Sequence, residues 1–332
     1  MKIYLKTMKN NLISIIIPTH NEENFIENCL KSIISNNYPK NELEIIVIDG
    51  NSEDKTQEIV KKYIAKYSFI KLINNPKKIT PISLNMGIKK SKGDIIIRFD
   101  AHAKYEKYYI KKCVSNLLKH KVDNVGGTMI TIPRTKSLID KAIANVLSNR
   151  FGVGNSIFRT GSNKPLLVDT VFGGCYKKKL FKHIGLFNEK LSRGQDMEFN
   201  LRLKKSGGKT LFVPGIVSYY YAPSGLINFI KHTFRNGLWA ILPFKWSAIM
   251  PVSIRHLIPL VFTFSLIITL FFIFPLFVLI IILYGLIDLN FSFKIYKKEK
   301  NLISLAITSI MFFIFHISYG LGSLYGLIKL IK

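Results

Sequence analysis

Three stretches of this 332-residue chain carry side chains that could do chemistry together. The first is Val-Ile-Asp-Gly-Asn-Ser-Glu-Asp-Lys-Thr, residues 47–56. Asp49 follows an apolar run, where a carboxylate can accept hydrogen bonds from a nucleoside; the same mixture of Asp, Gly, Asn and Ser is also what an ordinary turn uses. The second is Asp100-Ala-His102. Residues two apart on an extended segment point the same way, and both types ligate divalent cations. A diphosphate calls for such a cation to neutralise it. A loop Asp and a loop His with no metal is the competing reading. The third is Arg193-Gly-Gln-Asp196-Met-Glu198-Phe-Asn-Leu-Arg202. Gly194 breaks the chain and a helix is predicted from Gln195. Asp196 then lies in the first turn, where the helix dipole favours an ionised carboxylate able to take a proton. It would equally suit a plain helix start. Glu198 and Arg202, four apart in the favourable order, are expected to form a structural ion pair on the surface.

Several classes are excluded or weakened. No GxGxxG follows the first apolar run and no GxxxxGK[ST] occurs, so dinucleotide and P-loop fingerprints are absent. Cys29, Cys113 and Cys175 lie far apart without zinc spacing, which points to unpaired thiols in a reducing compartment. Lys and Arg number 48 against 20 Asp and Glu, a net charge of +28. That balance admits nucleic acid, anionic lipid or phosphate-bearing small substrates, or simply a composition rich in Lys, Ile and Asn. The lysines are scattered rather than gathered in a stripe, which argues against nucleic acid. Residues 1–10 are polar and the run Leu12–Ile17 stops at Pro18, too short for a signal peptide's apolar region.

The elements that must position these residues are legible as apolar runs. Residues 13–17 read as a buried strand ended by Pro18, with Asn21 capping a helix to about Asn36. Residues 44–49 and 94–99 read as further strands, with a short one at 70–73. Residues 56–67 are predicted helical, and Thr80 is expected to cap a helix with Pro81 at its first position. Strands alternating with helices imply a doubly wound, mostly parallel α/β sheet, its strands buried on both faces. Ligands in such sheets sit beyond the C-terminal strand ends, so Thr19, Asp49 and Asp100 should converge on one crevice. Further strands are expected at 124–132 and 209–221, and helices near 135–149, 176–184 and 195–206. Residues 1–223 thus read as one soluble domain.

Residues 224–256 mix Phe229, Phe234, Trp239, Phe244 and Trp246 with Lys231, Arg235, Lys245 and Arg255. Such a mixture suits a membrane interface, or an amphipathic helix packed on the domain. Residues 257–332 read as a transmembrane region. The stretch 257–287 has no charge and is long for one crossing, and Pro275 divides it into a hairpin of about 257–274 and 276–290. Residues 302–328 are a clear further span. The hairpin puts the lysines of 294–300 on the inner side, as the positive-inside rule prefers.

Together the runs Ile-Ser-Ile-Ile-Ile-Pro-Thr-His-Asn-Glu-Glu, Val-Ile-Asp-Gly-Asn-Ser-Glu-Asp-Lys-Thr, Ile-Arg-Phe-Asp-Ala-His-Ala and Gly-Gln-Asp-Met-Glu-Phe-Asn-Leu-Arg-Leu resemble a family 2 glycosyltransferase over about residues 12–240. Asp-Ala-His-Ala and the apolar tail resemble the succinoglycan-type exopolysaccharide enzymes. The resemblance implies a GT-A fold and inverting transfer from a nucleotide-diphospho-sugar to a saccharide or lipid-linked acceptor. By matching position it implies Thr19, Asp49 and Asp100 as donor-binding residues. Asp100 and His102 would hold Mn²⁺ or Mg²⁺, and Asp196 would be the catalytic base. His102 replaces the second acid of the usual Asp-x-Asp, Gln195 stands where Glu is common, and Gly50 where many relatives have Asp. The C-terminal Gln-x-x-Arg-Trp motif is only loosely echoed by residues 232–239. The expected setting is the cell (inner) membrane, multi-pass, with the catalytic domain cytoplasmic. Competing classes are a polyprenyl-phosphate sugar transferase and a non-catalytic membrane scaffold or nucleic-acid binder.

Overall fold

The computed structural model describes residues 12–246 and 253–331. They form two compact units. One comprises the residues up to Met129 with Gly161–Tyr220; the other comprises Ile130–Thr160 with the residues from Tyr221 onward. Residues 130–160, counted by sequence with the catalytic domain, therefore group with the C-terminal helices. Residues 247–252 of the expected interface segment lie outside the described residues.

The first unit opens with β1 (Ile13–Thr19), α1 (Ile26–Ile34), β2 (Leu43–Asp49), α2 (Thr56–Ile64), β3 (Ile70–Asn74), α3 (Thr80–Lys90) and β4 (Ile95–Arg98). It continues through β5 (Ala103–Tyr105), α4 (Tyr109–Lys119) and β6 (Asn124–Ile132). After α5 (Leu138–Ser148), α6 (Arg150–Val153) and α7 (Ile157–Thr160) of the second unit come β7 (Leu166–Leu167), β8 (Cys175–Lys177), α8 (Leu180–His183), α9 (Gln195–Lys205) and β9 (Thr210–Tyr221). The sheet order is β3-β2-β1-β4-β8-β6-β9-β5, with β7 paired to β9. The pairs β3-β2, β2-β1 and β1-β4 are parallel, as expected for a doubly wound sheet. The pairs β4-β8, β8-β6 and β5-β9 are antiparallel, so the sheet is mixed.

Alternation explains why both faces of β1, β2 and β4 are largely apolar. Ile13, Ile15, Ile17, Ile45, Val47 and Ile97 pack on α1 and α4. Ile16, Ile46, Ile48 and Ile96 pack instead with Leu84 and Ile88 of α3 and with Phe181, Phe187 and Phe199. Both faces are covered, the condition for parallel strands. Register sets the rim: Thr19 lies opposite Asp49, Asp49 opposite Asn74, and Ile16 opposite Arg98.

Four local expectations are corrected. Pro18 does not end β1, which runs through it to Thr19. Asn21 is not a cap: its φ is 54°, and α1 begins only at Ile26 after Phe25. The cap of α3 is Ile79, making Thr80 the first helical residue and Pro81 the second. Residues 175–177, expected as the start of a helix, are β8. The three cysteines are buried and free.

In the second unit α10 (Leu226–Ile241) is followed by α11 (Ile258–Phe272), α12 (Phe274–Glu299) and α13 (Leu302–Ile331). Three stretches, Ile254–Phe272, Phe274–Glu299 and Leu302–Ile331, are long and apolar enough to cross a membrane. The break between the first two falls at Ile273, with Pro275 in the first turn of α12, where its missing N–H costs nothing. Small residues bring α10 against α13: a Cβ on Gly237 would stand 1.9 Å from the Tyr319 carbonyl, and one on Gly322 would stand 2.1 Å from that of Phe234. Two buried polar groups among the apolar helices are paired. Asp288 accepts from Ser292 and Ser309, and His316 bonds Tyr284 and the Phe151 carbonyl.

Gly87 is where α3 meets the sheet most closely: a Cβ there would stand 2.5 Å from Ile16 Cγ2 and 2.9 Å from Ile48 Cδ1. Gly87→Ala should therefore destabilise the first unit by about 1–2 kcal/mol, overpacking outweighing the better helix propensity of Ala. Thermal melting checks this; an unchanged or raised melting temperature would mean the sheet yields at that point.

Candidate active site

The C-terminal ends of the parallel strands carry three side-chain clusters. The first surrounds Asp49, which is wholly buried at the end of β2. Its Oδ1 accepts from Thr19 Oγ1 at 3.2 Å and Ser52 Oγ at 2.5 Å. Its Oδ2 accepts from the Ser52 amide at 2.9 Å and Gln57 Nε2 at 2.7 Å. Two oxygens with four donors leave the carboxylate saturated. It pins the turn 50–52 to β1, and Asn51 takes the left-handed conformation there at φ 58°. The loop after β1 is tied to the same turn. Asn21 donates its amide to Ser52 Oγ and accepts from the Glu53 amide, while Asp54 accepts from Glu23.

The second cluster is built on Arg98, the last residue of β4. Its side chain is buried, yet it carries a guanidinium between two carboxylates. Nη2 donates to Asp100 Oδ1 at 2.9 Å, and Nη1 pairs with Asp196 Oδ1. Burial by itself would lower the Arg98 pKa; the charges of Asp100 and Asp196 outweigh it and hold the pKa well above the ordinary value. Asp196 feels the opposite balance. Burial pushes its pKa up, Arg98 pulls it down, Asp100 pushes it up, and the net shift is upward. Its side chain keeps 27% exposure, so the carboxylate remains reachable. The backbone of Asp100 is fixed through its amide, which donates to Tyr105 Oη at 2.8 Å, and the Tyr105 ring stacks on Phe99.

The third cluster is His102 with Glu22, Nδ1 to Oε1 at 2.8 Å, and with the Tyr220 ring at its edge. An imidazole whose Nδ1 is held by a carboxylate is oriented as metal-ligating histidines are. Among the described residues no three His, Cys, Asp or Glu gather as a closed metal site. Asp100 and His102, two residues apart, are oxygen and nitrogen donors of types that a divalent cation accepts, and they are held by Arg98 and Glu22 respectively.

Structure and sequence agree in part on these residues. Thr19 and Asp49 meet directly, and Asp100 and Asp196 meet through Arg98. Sequence reasoning missed Arg98 and Glu22. It also misjudged the Glu198–Arg202 pair, which is not a surface pair: Glu198 is buried, and Arg202 reaches it at 2.7 and 3.0 Å while also donating to the carbonyls of Ile184 and Leu186. That fork ties α9 to the loop after α8. Asn85 of α3 holds the same loop from the other side through the Phe187 backbone and Glu189. Asp196 is the second residue of α9, which begins at Gln195 after Gly194, itself in the left-handed conformation at φ 74°.

Residues 14–185 match the sequence model of Glycosyl transferase family 2. The chain belongs to that family. The dolichyl N-acetyl-alpha-D-glucosaminyl phosphate 3-beta-D-2,3-diacetamido-2,3-dideoxy-beta-D-glucuronosyltransferase of Methanococcus voltae is 34% identical over 327 residues, spanning 96% of this chain and 98% of its own. Succinoglycan biosynthesis protein ExoA of Rhizobium meliloti is 27% identical over 271 residues, 72% of this chain and 81% of its own. The mannosyltransferase PcManGT of Pyrobaculum calidifontis, solved with GDP-Man and Mn²⁺, superposes with a TM-score of 0.62 at 17% identity, covering 99% of this chain and 92% of that one. The expected GT-A fold is therefore the fold of this family 2 glycosyltransferase.

The saturation of Asp49 makes a specific prediction. Asp49→Asn puts an amide NH₂ where a donor already points, so at least one hydrogen bond to a charged acceptor is lost. The expected cost is about 2–3 kcal/mol, with a weaker grip on nucleotide because the 50–52 turn loosens. Thermal melting with and without UDP or GDP measures both; full stability and nucleotide response in this variant would show that the turn does not need the charge.

Proposed function

We propose that this glycosyltransferase is a membrane-attached, inverting, metal-dependent enzyme that moves a sugar from a nucleotide-diphospho-sugar to a hydroxyl of a lipid-linked saccharide. The observation that carries the reading is the pairing of Asp196 with Asp100 through Arg98. It places a reachable carboxylate beside the residue suited to a cation and diphosphate. In the reaction the acceptor oxygen forms a bond to the anomeric carbon as the bond to the diphosphate oxygen breaks. The acceptor proton passes to Asp196, and the nucleoside diphosphate leaves. Direct displacement inverts the anomeric carbon and needs no covalent nucleophile.

Each cluster has a part in this reading. Asp49 and Thr19 hold the 50–52 turn against which the nucleoside rests. Asp100 and His102 would hold Mn²⁺ or Mg²⁺, which neutralises the diphosphate when bound; a nitrogen ligand favours Mn²⁺ of the two. Asp196 is the base, and an upward-shifted pKa makes it a stronger proton acceptor. The acceptor class is supported by the Methanococcus voltae relative, whose name gives a dolichyl-linked sugar phosphate as substrate. A sugar hydroxyl must lose a proton to react. A lipid phosphate, the acceptor in the alternative reading, needs no base.

Three crossings by the apolar helices would keep the catalytic unit and the lysines of 294–300 on the cytoplasmic side, where nucleotide sugars are made. The exposed Ile227 and Ile230 beside Lys231 and Arg235 on α10 suit the headgroup layer.

The deciding experiment uses membranes containing the full chain, labelled UDP-, GDP- and dTDP-sugars, and chromatography of the lipid products. Asp196→Asn should lower turnover by roughly 10²-fold or more while donor affinity stays nearly constant. Undiminished transfer would remove the base and favour the lipid-phosphate alternative. Excess EDTA should abolish transfer; full activity in EDTA would exclude the metal. The pH profile carries a sign as well. Asp196 must be deprotonated to act, so turnover falls as pH drops through its pKa. Because that pKa is shifted upward, the acid limb should lie above the range of an ordinary aspartate.

A further inference from the structure

Arg98 is a costly residue to place where it is. A buried guanidinium must be paired, and here one cation is divided between the carboxylates of Asp100 and Asp196. Its Nε is buried without a hydrogen-bond partner among the described residues, so the group is held by its two outer nitrogens alone. Its backbone is fixed independently, the Arg98 amide donating to the Gly174 carbonyl at 3.0 Å. Gly173, at φ 72°, lets the loop before β8 approach; a Cβ there would stand 2.8 Å from the Arg98 carbonyl. The main chain is therefore rigid while the guanidinium sits between two alternatives.

We propose that Arg98 is a positioning residue that occupies the cation's place on Asp100 while no metal is bound and holds Asp196 in place for proton transfer. The inference rests on the reading of Asp100 as a metal ligand and Asp196 as the base. A divalent cation and a guanidinium repel each other at one carboxylate oxygen. When the cation takes Asp100, Asp196 is the partner left to Arg98. Arrival of donor and metal is thereby linked to the fixing of the base. Without Arg98, Asp100 and Asp196 would face each other as uncompensated like charges.

This role separates from a merely structural one by the sign of two measurements on the full-length protein in detergent. The first is binding of Mn²⁺ alone, read from the electron paramagnetic resonance signal of free Mn²⁺. Arg98→Met removes the competing charge, so Mn²⁺ should bind roughly fivefold tighter or more. The second is turnover in the lipid-transfer assay, which should fall about tenfold or more. In an Asp196→Asn background the same substitution should cost turnover nothing further, since Arg98 acts on the proton transfer through Asp196. Weaker or unchanged Mn²⁺ binding in a folded Arg98→Met protein overturns the proposal. So does a full additional loss of turnover in the double variant. If Arg98→Met does not fold, Arg98→Gln removes the charge but keeps a hydrogen-bond donor facing the carboxylates. It should raise Mn²⁺ affinity and lower turnover, and wild-type values for both overturn the proposal. Failure of the underlying reading looks different. Asp196→Asn with wild-type turnover removes the base but leaves the Mn²⁺ result standing, whereas Asp100→Ala with wild-type Mn²⁺ binding removes the metal ligand.

Discussion

A guanidinium enclosed at the end of a β-strand constrains everything around it. Bringing such a charge out of water costs several kcal/mol unless carboxylates meet it with good geometry. Arg98 meets that condition twice, and the surrounding structure follows from it. β4 must end where it does, so that Asp100 can turn back on Arg98 two residues later. α9 must start at Gln195, so that Asp196 reaches the same group from a distant part of the chain. The Gly173-Gly174 pair must precede β8, because the Gly174 carbonyl accepts the Arg98 amide and a side chain at Gly173 would collide with the Arg98 carbonyl. The ties from Arg202 and Asn85 to the loop before α9 serve the same end, fixing the approach to a helix whose first turn carries the reachable carboxylate.

What the sequence showed and what it hid divide along one physical line. Strands buried on both faces leave unbroken apolar runs, so β1, β2 and β4 were legible, and with them the rim positions of Thr19, Asp49 and Asp100. Asp196 was legible as a first-turn residue because Gly194 breaks the chain just before it, while its part in the chemistry came only from the family resemblance. Arg98 was not. Between Ile97 and Phe99 it reads as a strand residue like any other, and both of its partners are set by tertiary structure. Glu22 reads as an acid near a helix start; only the return of the chain through His102 gives it a second role. Asn21 misled because Asn suits both a cap and a left-handed turn, and the turn prevailed once Ser52 and Glu53 supplied its hydrogen bonds. The grouping of residues 130–160 with the C-terminal helices had no local signal. It depends on contacts such as Phe151 against Phe291 and Phe312, with far-separated residues.

The C-terminal helices solve a different problem. Apolar surface gives no preference between a helix neighbour and lipid, so specific association needs close backbone approach and paired polar groups. Both are present. Gly237 and Gly322 let α10 and α13 touch nearly backbone to backbone, and Ser323 donates to the Gly237 carbonyl at 3.1 Å. Asp288, which would be costly facing lipid, is turned inward to Ser292 and Ser309. These features fix which faces of the helices meet, which apolar composition alone does not specify.

The contrast within α9 shows how one helix start separates a structural carboxylate from a chemical one. Glu198 is buried and takes two hydrogen bonds from a single arginine, Arg202, which also donates to backbone carbonyls and lies over the Phe199 ring. Nothing about that group is available, and its charge is fully answered. Asp196, two residues earlier, shares its cation with Asp100 and keeps an exposed edge, while burial and the neighbouring Asp100 raise its pKa. Different surroundings for neighbouring acids separate roles on one scaffold. Gln195 fits the same accounting. It is buried beside Asp196, at the position where Glu is common in the family. A carboxylate buried at that position would need a cation to answer it, whereas a neutral amide does not.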